Sequence, residues 1–257
     1  MSFSLTKWYF DVVTERGDFA IAYWGEVHWG RLRPHFSAVQ VGGREHGPMP
    51  WRTSAQEVGP PCLEEGIRWH ADPIDLLIEG RRGAPSVTRE LLVTPQGQVT
   101  WSAVLPRATM RVHCGDQLLE GLGYVERLDL TLLPWRIPAD TIRWGRFIAP
   151  DASLVWIEWQ GDHPLALLIR DGVTIDADVI TEQVVRAADG TTLTLAEAQL
   201  LTDERASGLL APLEILKTIM SPIGQLHQRR WLSRGTLQRP GLPPSSGWVI
   251  HEFVEWR

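Results

Sequence analysis

Tyr124 and Glu126 stand two positions apart in the segment Gly121-Leu122-Gly123-Tyr124-Val125-Glu126-Arg127-Leu128. On an extended strand such positions share a face. The phenol and the carboxyl group then lie side by side with Leu128 next to them, while Val125, Arg127 and Asp129 point the other way. A carboxyl group enclosed by apolar side chains loses the hydration of its anion and shifts toward the neutral acid. Such an acid can deliver a proton near neutral pH. Glu126 is therefore the candidate general acid, and Tyr124 the group that orients it or shares its proton. Arg146, in Trp144-Gly145-Arg146, is a candidate anchor for the carboxylate. A plainer reading stays open beside this one. Glu126 paired with Arg127, Arg143 or Arg146 on a solvated face would form an ordinary, weak surface ion pair.

The aromatic residues are skewed toward indole, with 13 Trp against 3 Tyr and 6 Phe. Most must serve packing, but Trp24, Trp144 and Trp156 are candidates for lining a pocket for a long apolar ligand. Indole faces also stabilise cations better than other side chains do. An acid beside an aromatic lining meets the needs of carbocation chemistry. The acid protonates an alkene, the rings hold the cation, and water or an internal nucleophile ends the reaction.

Other chemistry is less well supported. The sequence contains no GxxxxGK[ST], HExxH or GxSxG, and Gly121-Leu122-Gly123 lacks the third glycine of a dinucleotide fingerprint. The eight histidines are scattered; His28 and His35 would need a distant third group to bind metal. Cys62, in Pro60-Pro61-Cys62-Leu63, is more simply a small apolar residue than a nucleophile. The expectation is a protein without metal or cofactor. A net charge of -6 argues against a general nucleic-acid binder. No run of 18 apolar residues suggests a transmembrane helix, and Met1–Lys7 has no signal-peptide pattern. Two cysteines, Cys62 and Cys114, make no disulfide framework, so a reduced cytoplasm is expected. Exposed apolar strand faces would favour a homodimer.

The elements that would hold these residues are short strands. Trp8–Val13 and Phe19–Trp24 read as a hairpin across Glu15-Arg16-Gly17-Asp18. Further strand-like runs are Ile74–Glu79, Ser86–Val93, Val99–Ala103, Thr109–Cys114, Gly123–Leu130, Arg143–Ile148, Leu154–Trp159, Ala166–Ile169, Ile180–Arg186, Thr192–Leu200 and Trp248–Trp256. Turn chemistry such as Thr94-Pro95-Gln96-Gly97 separates them. This spacing predicts an all-β antiparallel sandwich or barrel. Leu209, Leu213, Leu216 and Met220 predict one short helix near 209–220, ended by Pro222. The aromatic hairpin at Trp8–Trp24 has a counterpart at Trp144–Trp159. The expected organisation is two β units, 1–136 and 137–257, joined near Pro134-Trp135-Arg136-Ile137-Pro138.

These motifs carry a resemblance. Trp8-Tyr9-Phe10-Asp11 resembles the opening of the carotenoid 1,2-hydratase (hydroxyneurosporene synthase) and AttH-like family. Gly123-Tyr124-Val125-Glu126 resembles that family's glycine-rich strand, and Trp144-Gly145-Arg146 its continuation. The resemblance implies two tandem lipocalin-like β units with a ligand cavity. The family's histidine–aspartate pair stands here as Val125 and Glu126, so the histidine is lost and the acid is one methylene longer. Fold-level likeness does not fix function. The leading expectation is a cofactor-independent enzyme acting on a terpenoid, carotenoid or polyketide. It would work by acid-initiated hydration, cyclisation or isomerisation. The alternative is a non-catalytic lipocalin-like carrier of a lipophilic ligand, and a third reading is a structural protein with a filled core.

Overall fold

The computed structural model describes residues 2–64, 66–205 and 227–255. They divide into two compact units, 2–137 and 138–205 with 227–255. Each unit is built on one antiparallel sheet, and the architecture is all-β and lipocalin-like. The helix expected at 209–220 lies outside the described residues.

The first sheet contains β1 (Phe3–Val13), β2 (Phe19–Trp29), β3 (His35–Gly43), β4 (Gly47–Pro48), β5 (Arg52–Ser54), β6 (Ile67–Ala71), β7 (Leu76–Arg82), β8 (Val87–Thr94), β9 (Gly97–Cys114) and β10 (Gln117–Leu130). Its order is β4-β3-β2-β1-β10-β9-β7-β6, with β5 on β3 and β8 on β9. The second contains β11 (Thr141–Ala149), β12 (Ala152–Gln160), β13 (Leu165–Arg170), β14 (Val173–Ile175), β15 (Ala177–Ile180), β16 (Val184–Ala187), β17 (Thr192–Arg205), β18 (His227–Gln238) and β19 (Ser245–Glu255). Its order is β14-β13-β12-β11-β19-β18-β17-β16-β15. In each unit the first strand lies between the second and the last. β1 sits between β2 and β10, and β11 between β12 and β19.

The turn joining β1 to β2 follows from its residues. Gly17 takes φ 89°, a left-handed value favouring glycine, and Thr14 N–H donates to the Asp18 carbonyl at 2.8 Å. Apolar side chains on one face of the first sheet, including Trp8, Phe10, Trp24, Trp69, Leu105 and Val125, form its core. The Phe10 and Trp69 rings stack there at 5.1 Å. The second unit has its own core around Phe147, Leu154, Trp156, Leu168, Leu193 and Val249.

Two boundaries differ from the sequence reading. Val99–Ala103 and Thr109–Cys114 are one 18-residue strand, β9, running through Pro106. Pairing with β10 shifts register between Gly123 and Val125 and again between Val125 and Glu126. The extra residues fall in β9 around Pro106. A bulge needs no ladder N–H, so the proline does not end the strand. Conversely, Ile180–Arg186 is two strands. Thr181 N–H donates to the Val184 carbonyl at 2.9 Å, and the Thr181 hydroxyl donates to the same oxygen at 3.0 Å, closing a tight turn. Strands β3 and β18 lack clean alternation of residue type and become strands through their neighbours.

Candidate functional site

β1 and β10 run side by side with Tyr9 opposite Glu126 and Asp11 opposite Tyr124. Glycine permits this approach. A Cβ on Gly123 would lie 2.2 Å from the Asp11 carbonyl oxygen, so any other residue would push the two strands apart. The double bulge in β9 lies directly across from this part of β10. Directly opposed residues of antiparallel strands share a face. Tyr9, Asp11, Tyr124 and Glu126 therefore share one side, and Trp8, Phe10 and Val125 the other.

Glu126 is buried, at 8% exposure, and Tyr124 is fully enclosed. The Tyr124 hydroxyl donates to Glu126 Oε2 at 2.9 Å, and the Trp101 indole N–H donates to the same oxygen at 2.7 Å. Burial, and then the Glu126 charge, push the Tyr124 phenol well above its ordinary pKa. It therefore remains a donor across the physiological range. Asp11, itself buried, pushes in the same direction.

Aromatic rings continue along this face. Tyr124 lies 6.1 Å from Tyr9, Tyr9 lies 5.4 Å from Tyr23, and Tyr23 lies 5.7 Å from Trp51. All three tyrosines of the chain thus gather in one strip beside the carboxyl group. Lys7 places its ammonium 5.1 Å from the Tyr23 ring centre.

The other candidate residues are placed differently. Trp24 is buried but pairs with Trp8, which puts it on the face opposite Glu126. Its indole N–H donates to the Val58 carbonyl at 2.8 Å and pins the loop after β5. Trp144, Arg146 and Trp156 belong to the second unit. Arg146 is fully buried and donates from Nη1 to the Trp248 carbonyl at 2.9 Å. Trp144 shares its face of β11 with Arg146. Trp156 packs on the other face, over Gly145, where an added Cβ would lie 2.2 Å from the indole. Arg127 pairs with Asp129 at 2.8 Å and Arg143 with Glu158 at 2.7 Å.

Trp101, Tyr9 and Tyr23 escaped the sequence reading. Alternation within Val99–Ala103 puts Val99, Trp101 and Ala103 on one face, but only the bulged register of β9 shows which side of Glu126 they meet. Tyr9 was visible in the Trp-Tyr-Phe-Asp motif, and only the β1–β10 register places it opposite Glu126. Among the described residues, no group of three or more His, Cys, Asp or Glu is placed to hold a metal ion. None of their helices is long and apolar enough to cross a membrane.

No protein-family model matches the chain, and no curated protein matches its sequence. Solved structures do share its fold. CghA with Sch210972 is 12% identical, covering 98% of this chain and 88% of that one, with a TM-score of 0.56. A putative AttH from Nitrosomonas europaea is 11% identical, covering 98% of this chain and 92% of that one, at 0.55. Kievitone hydratase from Nectria haematococca is 9% identical, covering 98% and 88%, also at 0.55. At these identities the likeness is one of fold.

Proposed function

We propose that this chain is an enzyme that protonates a hydrophobic, unsaturated small molecule of the terpenoid, carotenoid or polyketide kind, with Glu126 as the acid. The observation that supports this reading most is the buried Glu126 carboxyl group, whose Oε2 is fixed by Tyr124 and Trp101 on the face that carries all three tyrosines. In this reading the proton sits on Oε1. The alkene's π pair takes that proton, a C–H bond forms, and a cation develops on the neighbouring carbon. Tyrosine and tryptophan faces stabilise it. Glu126 is left as a carboxylate, and the two donors on Oε2 stabilise the anion as it forms. Water then adds to the cation and returns a proton to Glu126, completing a hydration. Loss of a neighbouring proton to the carboxylate gives an isomer; attack by a second alkene closes a ring and moves the cation to that alkene's far carbon, beside which a proton is then lost to the Glu126 carboxylate. The hydratase part of the sequence resemblance and the presence of kievitone hydratase among proteins of this fold both favour this class.

The second reading is a carrier of a lipophilic ligand, as lipocalin-like barrels often are. Two donors committed to one carboxyl oxygen would serve a static buried network equally well. Lipophilic extracts incubated with wild type and with Glu126→Gln, followed by mass spectrometry, separate the two. A product gaining the mass of water, or an isomer of unchanged mass and altered retention, formed by wild type alone, is the expected result. Equal turnover by Glu126→Gln would overturn the role of Glu126. A compound that co-purifies with both proteins and returns unaltered would establish the carrier.

A further inference from the structure

The turns at the two ends of the first sheet differ in charge. At one end β1 begins at Phe3, β2 stops at Trp29, β10 stops at Leu130 and β8 turns into β9. The connecting residues there, 30–34, 95–96 and 131–137, hold three arginines, Arg31, Arg33 and Arg136, and no Asp, Glu or Lys. At the opposite end, residues 14–18, 44–46, 72–75 and 115–116 hold six acids, Glu15, Asp18, Glu45, Asp72, Asp75 and Asp116, against two arginines, Arg16 and Arg44. Two carboxylates on the strands leading to the basic end are already engaged. Glu26 is taken by the His28 ring and lies 3.8 Å from His35 Nε2, and Asp129 pairs with Arg127 at 2.8 Å. The long connection 55–66 is tied to the core face instead, its Val58 and Gly59 carbonyls accepting from the Trp24 and Trp69 indoles.

The basic end is also apolar and rigid at its tip. Trp29 N–H donates to the Leu32 carbonyl at 3.1 Å and Leu32 N–H to the Trp29 carbonyl at 3.0 Å. Gly30 takes φ 61°, so the chain reverses tightly between β2 and β3. Arg31, Leu32 and Arg33 are all exposed there, Leu32 at 43%. Tight turns favour Gly, Asn, Asp and Ser, so a leucine between two arginines is not what the turn itself asks for. Beside the tip the Trp29 ring lies 6.0 Å from Trp135 and 6.1 Å from Phe3, and both indoles are half-buried. Arg136, next to Trp135, is exposed. Among the described residues none of the three arginines forms an ion pair. One end of the sheet thus presents free positive charge, an exposed leucine and two indoles held in place.

We propose that this end of the first unit docks on an anionic lipid surface. Arg31, Arg33 and Arg136 meet the charged headgroups. Trp29 and Trp135 lie at headgroup level, where an indole keeps its ring in apolar surroundings and its N–H wet. Leu32 enters the acyl boundary and loses its exposure to water. The chain carries a net charge of -6, so an anionic surface does not attract it as a whole. Attraction is confined to the basic end, and repulsion of the acidic end fixes a single orientation. A nucleic acid would satisfy the arginines but would leave Leu32 in water, so the combination favours lipid. This surface does not depend on the role of Glu126.

The test is co-flotation of the full-length protein with vesicles of phosphatidylcholine and of equimolar phosphatidylcholine and phosphatidylserine. Wild type is expected to float with the mixed vesicles, to stay behind with phosphatidylcholine alone, and to be released as salt rises. Replacing Arg31, Arg33 and Arg136 by Gln should weaken binding about fivefold for each residue and about a hundredfold together. Leu32→Ser leaves the charge unchanged and should weaken binding about tenfold. Arg16→Gln combined with Arg44→Gln removes positive charge at the opposite end and should leave binding unchanged. These substitutions lie at exposed turns, and the comparison of the two vesicle types needs no variant. Failure of wild type to float with the mixed vesicles, or equal flotation with both kinds, would overturn the proposal. So would undiminished binding by the triple arginine variant. Retention on a single-stranded oligonucleotide without any flotation would assign the arginines to nucleic acid and overturn it as well.

Discussion

Tyr124→Phe removes one hydroxyl from a fully enclosed site and changes almost nothing else in volume. The lost group is the donor at 2.9 Å to Glu126 Oε2, leaving that oxygen with the Trp101 indole at 2.7 Å. A hydrogen bond to a charged acceptor contributes about 1.5–3 kcal/mol to stability, and one between neutral groups about 0.5–1.5 kcal/mol. The proton on Glu126 therefore sets the size of the effect. If Glu126 rests as the neutral acid, as the proposed chemistry requires, the loss should be about 1 kcal/mol at neutral pH. A resting carboxylate would make it about 2 kcal/mol or more. Urea denaturation followed by tryptophan fluorescence, with the urea dependence held as a check on two-state behaviour, measures it. A cycle with Glu126→Leu isolates the pair, and its coupling should be about 0.5–1.5 kcal/mol for the neutral acid. A coupling near zero would refute the claim that this hydroxyl is committed to Glu126. A cost above about 2 kcal/mol would keep the contact but contradict a neutral resting acid.

Three further outcomes follow from the second unit. Gly145→Ala places a methyl group 2.2 Å from the Trp156 ring, and overpacking of this kind should cost about 1–3 kcal/mol, seen as a lowered melting temperature. His251 has a folded pKa of about 4 against an ordinary value of 6.5. The unfolded chain then binds the extra proton between those values, so stability is held above pH 6.5 and lost as pH falls toward 4. The loss is about 3 kcal/mol at most, and His251→Gln should flatten the slope in that window. His227 has the opposite sign. Its ring donates to Asp203 at 2.5 Å and Glu255 at 3.2 Å, and these hydrogen bonds raise its pKa. Its stabilisation is present below pH 6.5 and fades as pH rises through the raised value. A His227→Gln variant should match wild-type stability at high pH and fall behind it at low pH and low salt.

The legible part of this protein was local. Alternating apolar residues, glycine turns and aromatic hairpins are enough to indicate an all-β chain, because a strand repeats every two residues and its turns require particular backbone angles. The same period puts Tyr124 and Glu126 on one face, and the structure joins them by a hydrogen bond. Register is a different matter. It depends on which strand lies next to which, and a shift of one residue reverses every side chain. That is why Trp24 could be expected beside Glu126, although its pairing with Trp8 places it on the opposite face. It is also why Trp101, 25 residues from Glu126, could not be found before the bulged β9–β10 pairing was known. Pro106 shows the same limit from the other side, since whether a proline ends a strand depends on whether the neighbouring strand needs its N–H. Residue types and their period determined the fold class and one pair of the site. Long-range strand pairing alone decided which aromatic rings surround that pair, because burial and hydrogen bonding there come from residues far apart in the chain.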